Sequence, residues 1–248
     1  MDRLIYTAMT GANAAAHRQA VLSNNLANAS THGFRAELST FRAVPLQGEG
    51  LATRVFALEA TAGHLDTAGP AQSTGRDLDA MAQGNSWFAV QGLDGTEAYT
   101  RNGAFEVSPQ GSLMTSNGLT VLSDGGAPIT LPVGASVSLG SDGTLSTKTG
   151  SQPATNVGRL KMVTPEAQDP LQRGTDGLFR AASGASLPNS ATARLTTGML
   201  EGSNVNAVET MVGMIQIARQ FEVQMRLLQN AEANDKSASQ LLNLQGYG

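Results

Sequence analysis

Several residues of this 248-residue chain are of types that catalyse reactions, but their spacing matches no catalytic site. Residues 84–88, Gly-Asn-Ser-Trp-Phe, begin like the G-x-S-x-G nucleophile turn of a serine hydrolase, yet the closing glycine is missing. Asp77 and Asp79 could act as paired carboxylates, but no acid–base partner lies nearby in the sequence. We therefore interpret the two aspartates as part of a solvated turn.

Metal, disulfide and phosphate chemistry find no support in the residue pattern either. His17, His32 and His64 stand singly without the spacing of metal ligands, which favours surface or capping roles. The chain has no cysteine, and this excludes disulfides, thiolate nucleophiles and Cys-ligated zinc. None of the three lysines follows a Gly-rich loop in the order that a phosphate loop needs. We predict a protein that is not an enzyme and that uses no cofactor or metal.

The overall composition argues against nucleic-acid and membrane partners. The formal net charge is -4 and aromatic residues make up only 4% of the chain, so neither a basic surface nor a base-stacking platform is expected. No stretch approaches the roughly 20 apolar residues that a membrane span needs. The first eight residues lack the apolar core of a signal peptide, so any export is expected to proceed without signal cleavage.

The elements that would position these residues fall into three zones. Residues 63–204 hold 21 of the 28 glycines and eight of the nine prolines, which indicates turn-rich β structure between two helical ends. The predicted fold class is α+β, mainly β, with a central antiparallel domain. The predicted domains are a discontinuous helical part at 1–40 and 204–248, an extended connector at 41–75, and the β domain at 76–203.

The N-terminal zone carries a narrow, alanine-rich stripe at alternating spacings of three and four residues, which places its members on one side of a helix. Such a stripe buries little area and allows close approach of another backbone, so the helix should be marginal alone. Residues 28–33 should end it, with Gly33 at a positive φ. The stripe consists of Ile5, Ala8, Ala12, Ala15, Gln19, Leu22 and Leu26.

The C-terminal zone repeats the pattern with larger side chains. Residues 202–204, Gly-Ser-Asn, are of helix-capping types and precede Val205. Methionine is unbranched and adaptable, which suits a surface that fits several neighbours. The same pattern is equally compatible with two helices that pair within one chain. The stripe consists of Met211, Met214, Ala218, Phe221, Met225 and Leu228.

The central zone contains short alternating runs that are typical of strands, at residues 87–90, 129–131, 137–139 and 160–163. Turn-forming pairs separate them. These pairs are Asp94-Gly95, Asn102-Gly103, Asn117-Gly118, Asp124-Gly125 and Asp142-Gly143.

Three segments carry a resemblance to a known family. Residues 23–35, SNNLANASTHGFR, resemble the N-terminal signature of flagellar axial proteins of the rod and hook family, which typically reads S/A-N-N-L-A-N-x-x-T-x-G-F-K/R. Residues 99–122 look like the central β motif of that family. Residues 200–206 together with 219–222 resemble its C-terminal signature. One position departs from the pattern, since His32 occupies a slot that is often Asn or Pro.

The resemblance implies a structural subunit of the flagellar basal-body rod that polymerises axially into the shaft that carries torque from motor to hook. The opening residues and the length look most like the proximal-rod members. The implied partners are other proximal and distal rod subunits, further copies of the chain, and the flagellar type III export apparatus. The implied location is the rod that spans the periplasm. The alternatives are a distal-rod or hook-family subunit, a secreted cell-wall hydrolase or an adhesin.

The resemblance also implies that the two terminal helices pair as a coiled-coil-like rod core in concentric layers, outside which the β domain sits. We expect these helices to become ordered when neighbouring subunits surround them. The residues predicted to form the assembly interface are Ile5, Ala8, Ala12, Ala15, Leu22, Asn24, Asn25, Leu26, Asn28, Gly33, Phe34, Val205, Met211, Met214, Ala218, Phe221, Met225 and Leu228.

Overall fold

A computed structural model describes residues 2–45 and 55–244 of the chain. It contains two long helices and seventeen short strands, and the described strand pairings are antiparallel. The predicted α+β, mainly β class is therefore confirmed.

The chain divides into two compact units, each made of segments that are distant in sequence. The helical unit comprises Met1–Asn28, Glu37–Leu65 and Val205–Gly248. The β unit comprises Ala29–Ala36 and Asp66–Asn204.

The helical unit holds two helices and one hairpin: α1 (Asp2–Ala27), β1 (Glu37–Pro45), β2 (Val55–His64) and α2 (Ala207–Leu244). Strands β1 and β2 pair in antiparallel register with an irregularity between Thr40 and Phe41. This pairing lies largely in the predicted connector 41–75, whose residues 46–54 are outside the described residues. Alternating hydrophobicity is weak there, so the sequence did not indicate that these strands pair.

The ends of the helices follow from local hydrogen bonding. Helix α1 ends at Ala27, and Gly33 has a φ of 70°, as predicted. The predicted cap of α2 at residues 202–204 is wrong, because Asn206 serves instead. Its side-chain Oδ1 accepts hydrogen bonds from the backbone N–H groups of Val208 (3.1 Å) and Glu209 (3.2 Å). These bonds satisfy donors that have no partner inside the helix.

The β unit is built from short strands around two apolar clusters. Its strands are β3 (Ala71–Ser73), β4 (Ala80–Ala82), β5 (Trp87–Gln91), β6 (Glu97–Thr100), β7 (Phe105–Val107), β8 (Leu113–Thr115), β9 (Thr120–Val121), β10 (Ser136–Leu139), β11 (Thr144–Lys148), β12 (Thr155–Arg159), β13 (Met162–Val163), β14 (Leu171–Arg173), β15 (Phe179–Ala181), β16 (Leu195–Thr197) and β17 (Met199–Glu201). The largest sheet has the order β14-β15-β6-β5-β9-β8-β7, with β13 also paired to β5. The remaining strands form the sheets β10-β11-β12, β16-β4 and β17-β3. The predicted run 129–131 forms only an isolated bridge at Thr130.

A recurring three-residue loop joins consecutive strands. In the loop from β5 to β6, Gly95 N–H donates to Gly92 O at 3.0 Å, Gly92 N–H donates to Thr96 O at 2.8 Å, and Gly95 has a φ of 79°. A type I turn followed by a left-handed glycine gives this geometry. The Asp94 side chain accepts the Thr96 N–H at 3.0 Å and fixes the turn. The same arrangement of Gly, Asp and Gly recurs at residues 140–144 and 174–178.

The Asn102-Gly103 pair has a different role from the other predicted turns. A Cβ atom placed on Gly103 would lie 1.8 Å from the carbonyl oxygen of Ala80, so the two backbones meet at a distance that only glycine allows. The Ala80 N–H donates to Gly103 O at 3.0 Å across this contact. Gly103 therefore holds β4 against the core of the β unit.

We expect Gly103→Ala to lower the free energy of unfolding by roughly 2–3 kcal/mol, because the added methyl group forces Ala80 away. Gly158→Ala is the matched control, since a Cβ atom there meets nothing within 4 Å. Denaturant unfolding followed by fluorescence of Trp87, the single tryptophan, measures both. Equal midpoints for the two variants would contradict the close approach.

A polar cluster lies on the β unit around the carboxylate of Glu97. Lys161 Nζ lies 2.7 Å from Glu97 Oε1, the Tyr99 hydroxyl donates to the same oxygen at 2.8 Å, and the Ser186 hydroxyl donates to Oε2 at 2.6 Å. Burial opposes ionisation of Glu97, but these hydrogen bonds and the Lys161 charge outweigh it and lower its pKa below 4.5. Burial, reinforced by the Glu97 carboxylate, raises the pKa of Tyr99 to about 12.

The Glu97 cluster should make the β unit sensitive to acid. The pKa of Glu97 is lower in the folded chain than in the unfolded chain. The ionised Glu97 side chain therefore stabilises the folded state fully when the pH is above its pKa in the unfolded chain, and this stabilisation is lost as the pH falls through its pKa in the folded chain. Glu97→Gln should flatten the acid side of a plot of unfolding free energy against pH, and Ser186→Ala should have an intermediate effect. Denaturant midpoints between about pH 3 and pH 6 test this. An unchanged slope in Glu97→Gln would refute it.

Candidate assembly site

The alanine stripe of α1 lies buried in the helical unit, where α1 and α2 pack closely. Ala8, Ala12 and Ala15 are all buried. A Cβ atom on Gly11 would lie 3.1 Å from the amide of Gln224, and one on Gly213 would lie 3.3 Å from Leu22. Small residues therefore allow the two helices to approach each other. Ile5, Leu22 and Leu26 of the predicted interface are half-buried.

The predicted stripe of α2 is divided between buried and exposed surface. Thr210, Ile217 and Ala231 are the buried residues of α2 among those described. Of the predicted residues, Met214 and Leu228 are half-buried, as is Val205 ahead of the helix. Met211, Ala218, Phe221 and Met225 are exposed, with exposed fractions of 46% for Met211 and 38% for Phe221. The exposed members are available to contact another molecule.

A groove of about 390 Å³ lies on the helical unit between α1 and α2, and we call it the alanine groove. Alanine side chains leave space on its walls, and Phe221 forms part of its rim. Its lining residues are Ala15, Ala16, Gln19, Ile217, Ala218, Phe221 and Glu222.

The three asparagines of the N-terminal signature differ in burial and in hydrogen bonding. Asn25 is buried and forms two hydrogen bonds with the backbone of Glu37, donating to its carbonyl at 2.9 Å and accepting from its N–H at 2.8 Å. Asn28 donates from its side chain to Asn24 O at 2.9 Å at the end of α1. Asn24 itself is exposed. Asn25 thus fixes the start of β1, and Asn28 satisfies a terminal helix carbonyl.

Gly33 and Phe34 belong to the β unit and are buried there. A Cβ atom on Gly33 would lie 2.4 Å from the backbone of Arg101, and the Gly33 N–H donates to Glu201 O at 2.8 Å. The Phe34 ring lies 4.5 Å from the guanidinium carbon of Arg173. The two residues therefore dock segment 29–36 into the β unit.

A triad of buried charges joins this segment to two distant parts of the β unit. Arg35 Nη2 lies 2.8 Å from Glu201 Oε1, and Arg101 approaches Glu201 Oε2 through Nη2 at 2.6 Å and Nε at 2.7 Å. The exposed fractions are 3% for Arg35 and 1% for the other two. A carboxylate this deep requires such partners, because an unpaired buried charge is very costly.

Every N–H donor of Arg101 has an acceptor. Besides Glu201, its guanidinium donates to the carbonyl oxygens of Gly84 (3.0 Å), Ser86 and Ala82 (2.8 Å). Residues 84–88, which began like a hydrolase nucleophile turn, thus supply backbone acceptors for an arginine. Full satisfaction of the guanidinium indicates a rigid structural role.

Trp87 packs beside both arginines. Its ring lies 5.9 Å from the guanidinium carbon of Arg35 and 5.7 Å from that of Arg101, and its centroid is 4.6 Å from that of Phe179. Burial lowers the pKa of Arg35, which Glu201 opposes and the Arg101 charge reinforces. Since arginine stays protonated in proteins even so, the triad carries a net positive charge over an electron-rich ring.

Hydrogen bonds around the triad tie together the segments where the β unit begins and ends. Asn204 accepts the Ala36 N–H at 2.6 Å and donates to Thr67 O at 2.9 Å. Arg35 donates to the same Thr67 carbonyl, and the Gly69 N–H donates to Glu201 Oε1 at 3.1 Å. We call this cluster the junction. It lies within the β unit and brings together residues 33–36, 67–69 and 201–204.

The sequence reasoning missed the triad, although Arg35, Arg101 and Glu201 all stand inside the recognised signatures. A signal was present, because charged residues are only 15% of the chain and each short signature still contains at least one. The solvated-turn interpretation of Asp79 is also wrong. Asp79 is only 1% exposed, since its backbone pairs with Ala104 beside the core. Asp77 is exposed.

Within the described part of the chain, no group of three or more His, Cys, Asp or Glu side chains could hold a metal ion. A search of the same residues finds no helix long and apolar enough to cross a membrane.

Three family models match the chain in succession. Residues 5–35 match a model described as flagella basal body rod protein, and residues 81–147 match the flagellar hook protein FlgE/F/G D1 domain. Residues 196–241 match the C-terminal model of flagellar basal body rod FlgEFG proteins. Each model covers one member of the triad.

Curated relatives are similar over nearly the full length. The chain is 45% identical to the flagellar basal-body rod protein FlgF of Salmonella typhimurium and, at the same identity, to that of Escherichia coli K12, over 98% of this chain and 100% of each relative. The FlgF protein of Caulobacter vibrioides is 32% identical over 98% of both chains.

We expect Glu201→Gln to lower the free energy of unfolding of the β unit by about 3–5 kcal/mol, because it leaves two buried guanidinium groups without a countercharge. Asp94→Asn, which weakens the exposed contact with Arg180, is the matched control and should leave the midpoint nearly unchanged. Trp87 fluorescence during urea unfolding measures both variants. A Glu201→Gln midpoint equal to the control would show that the triad contributes little.

Proposed function

Because the chain belongs to the flagellar basal-body rod protein family, we propose that it is a structural subunit of the proximal rod that polymerises axially to transmit torque. The full-length similarity to FlgF proteins carries this conclusion. The chain is a structural component of the flagellum and not an enzyme.

The partners that we propose are other rod subunits, proximal and distal, together with further copies of the chain. Exposed apolar side chains on α2 support contacts with such neighbours, because several of them on one helix form the kind of apolar surface that marks a protein–protein interface. The predicted interface residues that are already buried, such as Ala12 and Asn25, would act by shaping the helical unit. Exposed ones, such as Met211 and Phe221, would contact neighbours directly.

We further propose that the two terminal helices form a coiled-coil-like core of the assembled rod. In this proposal the core domain is discontinuous and consists of residues 1–40 and 204–248, the connector is 41–75 and the β domain is 76–203. The spacings of three and four residues in α1 and the close approach at Gly11 and Gly213 support this arrangement. Export through the flagellar type III apparatus without signal cleavage fits a chain that has no cysteine to pair incorrectly in an oxidising compartment.

Assembly should supply much of the order of the helical unit. The buried stripe of α1 is mostly alanine and contributes little apolar area, whereas α2 leaves large apolar side chains in water. Neighbouring subunits that cover these side chains would stabilise both helices. Folding of the ends and polymerisation are then one coupled process.

The function is tested by electron microscopy of basal bodies from a deletion strain. We expect the shaft above the inner-membrane ring to be lost and to be restored by the intact chain. The variant Phe221→Asp should fail to restore it, because a charge on the exposed face of α2 opposes burial against a neighbour. Leu93→Asp is the matched control, since Leu93 is 91% exposed in a turn of the β unit.

Two results would contradict the proposal. A complete shaft in the deletion strain would exclude a rod function. Normal motility with Phe221→Asp would exclude this face of α2 from the interface. Trp87 fluorescence of the purified variant confirms that its β unit is folded.

A further inference from the structure

The last residues of the β unit complete its structure, and we call residues 193–204 the closing segment. Strand β16 pairs with β4, and strand β17 pairs with β3. Among the described residues, β3 and β4 form no other strand ladder. Side chains reinforce these pairings, since Gln83 donates to the hydroxyl of Thr196, 113 positions later, and the Gly69 N–H donates to Glu201, 132 positions later. The strands near the start of the unit therefore depend on partners near its end.

The closing segment also supplies apolar side chains and a countercharge. Leu195 is buried in the main apolar cluster of the β unit, and its N–H donates to Ser141 O at 3.0 Å in the turn between β10 and β11. Glu201 is the carboxylate that pairs with the buried Arg35 and Arg101 in the triad. Without it, two buried guanidinium groups would repel each other and lack a counterion, which is costly. An incomplete unit therefore loses strand partners, core contacts and charge compensation together.

The order of synthesis makes the closing segment available last. A chain is made from its N-terminus, so residues 29–36 and 66–192 meet water before the closing segment exists. Bringing together segments that are more than 100 positions apart costs loop-closure entropy, and the contacts of the closing segment offset that cost. The earlier residues by themselves leave two strands unpaired and two cations without a carboxylate. They therefore lack the interactions that a stable fold of this unit needs.

We propose that the closing segment is a folding latch: the β unit stays open until residues 193–204 dock, and it then folds in a single step. Arg35 and Arg101 keep the unit open before that point, because their burial requires Glu201. During synthesis the chain then remains open until residue 204 of its 248 residues has been made. An export apparatus that admits unfolded chains has this whole interval in which to engage the subunit. That consequence rests on the proposed function, whereas the latch itself rests on the contacts within the β unit.

Native-state hydrogen exchange of the full chain tests the latch without any truncation. The amides of Leu195, Gly198 and Gly202 in the closing segment are compared with those of Ala89 and Leu122 in the large sheet, all of which donate backbone hydrogen bonds. A latch requires both groups to open with the same free energy and the same dependence on urea, because loss of the segment opens the whole unit.

Two results would overturn the latch. The first is exchange of the closing segment at a lower free energy while the sheet stays protected, since the earlier residues would then be stable alone. The second comes from pulse labelling during refolding, in which Ala89 and Leu122 should become protected together with Gly202; earlier protection of the sheet would contradict the single step. Neither measurement involves rod assembly, so a failed latch would leave the proposed function intact.

A substitution within the closing segment shows whether its contacts hold the whole unit. Leu200→Ala removes a buried side chain outside the triad, and we expect it to speed exchange by the same factor, roughly a hundredfold, at both groups of amides. Val157→Ala on β12 is the matched control, because Val157 is 37% exposed and this variant should exchange nearly as slowly as the wild type. Faster exchange confined to the closing segment would refute the latch. Leu200→Val provides the same comparison with a smaller change should Leu200→Ala not fold.

Discussion

The carboxylate of Glu201, buried between two guanidinium groups, is the interaction on which the β unit depends. Its partners Arg101 and Arg35 stand 100 and 166 positions earlier in the sequence, so the charge is compensated only when distant segments have all docked. Hydrophobic residues of similar size could fill the same space with comparable stability. What the charges add is selectivity, because a misdocked segment would leave an ion unpaired in a medium where that is prohibitive. The three family signatures therefore depend on one another through this residue.

The helical unit, unlike the β unit, is not held together by a buried charge cluster among its described residues. Its described contacts rely on small residues and close approach of the helices in place of charge, and its exposed methionines are unbranched and adaptable. Such a surface suits a subunit whose neighbours differ from one end of a shaft to the other. The rigid junction and the adaptable helices thus divide the tasks of holding a shape and fitting a neighbour.

Much of this organisation could be predicted from the sequence. The spacing of apolar residues indicated both helices, and Gly33, Asp94-Gly95 and Asp142-Gly143 indicated turns that the structure contains. The hairpin of β1 and β2 was missed because alternating hydrophobicity is weak in its strands. The Arg35–Glu201–Arg101 triad was missed because its pairings join residues far apart in sequence. Local patterns carry no information on such contacts. Asn206 was missed as a cap because three earlier residues have the same chemical type, and only tertiary hydrogen bonds show that Asn204 is already engaged.

The junction also limits where this chain can vary in length. Since residues 33–36, 67–69 and 201–204 are bonded to one another, the two ends of the long excursion from 70 to 200 stay adjacent whatever its hairpins contain. Insertions at those hairpin tips would enlarge the body without moving the anchored ends. A lineage could therefore thicken or decorate such a subunit freely, whereas a single added residue inside the junction would separate groups that must touch.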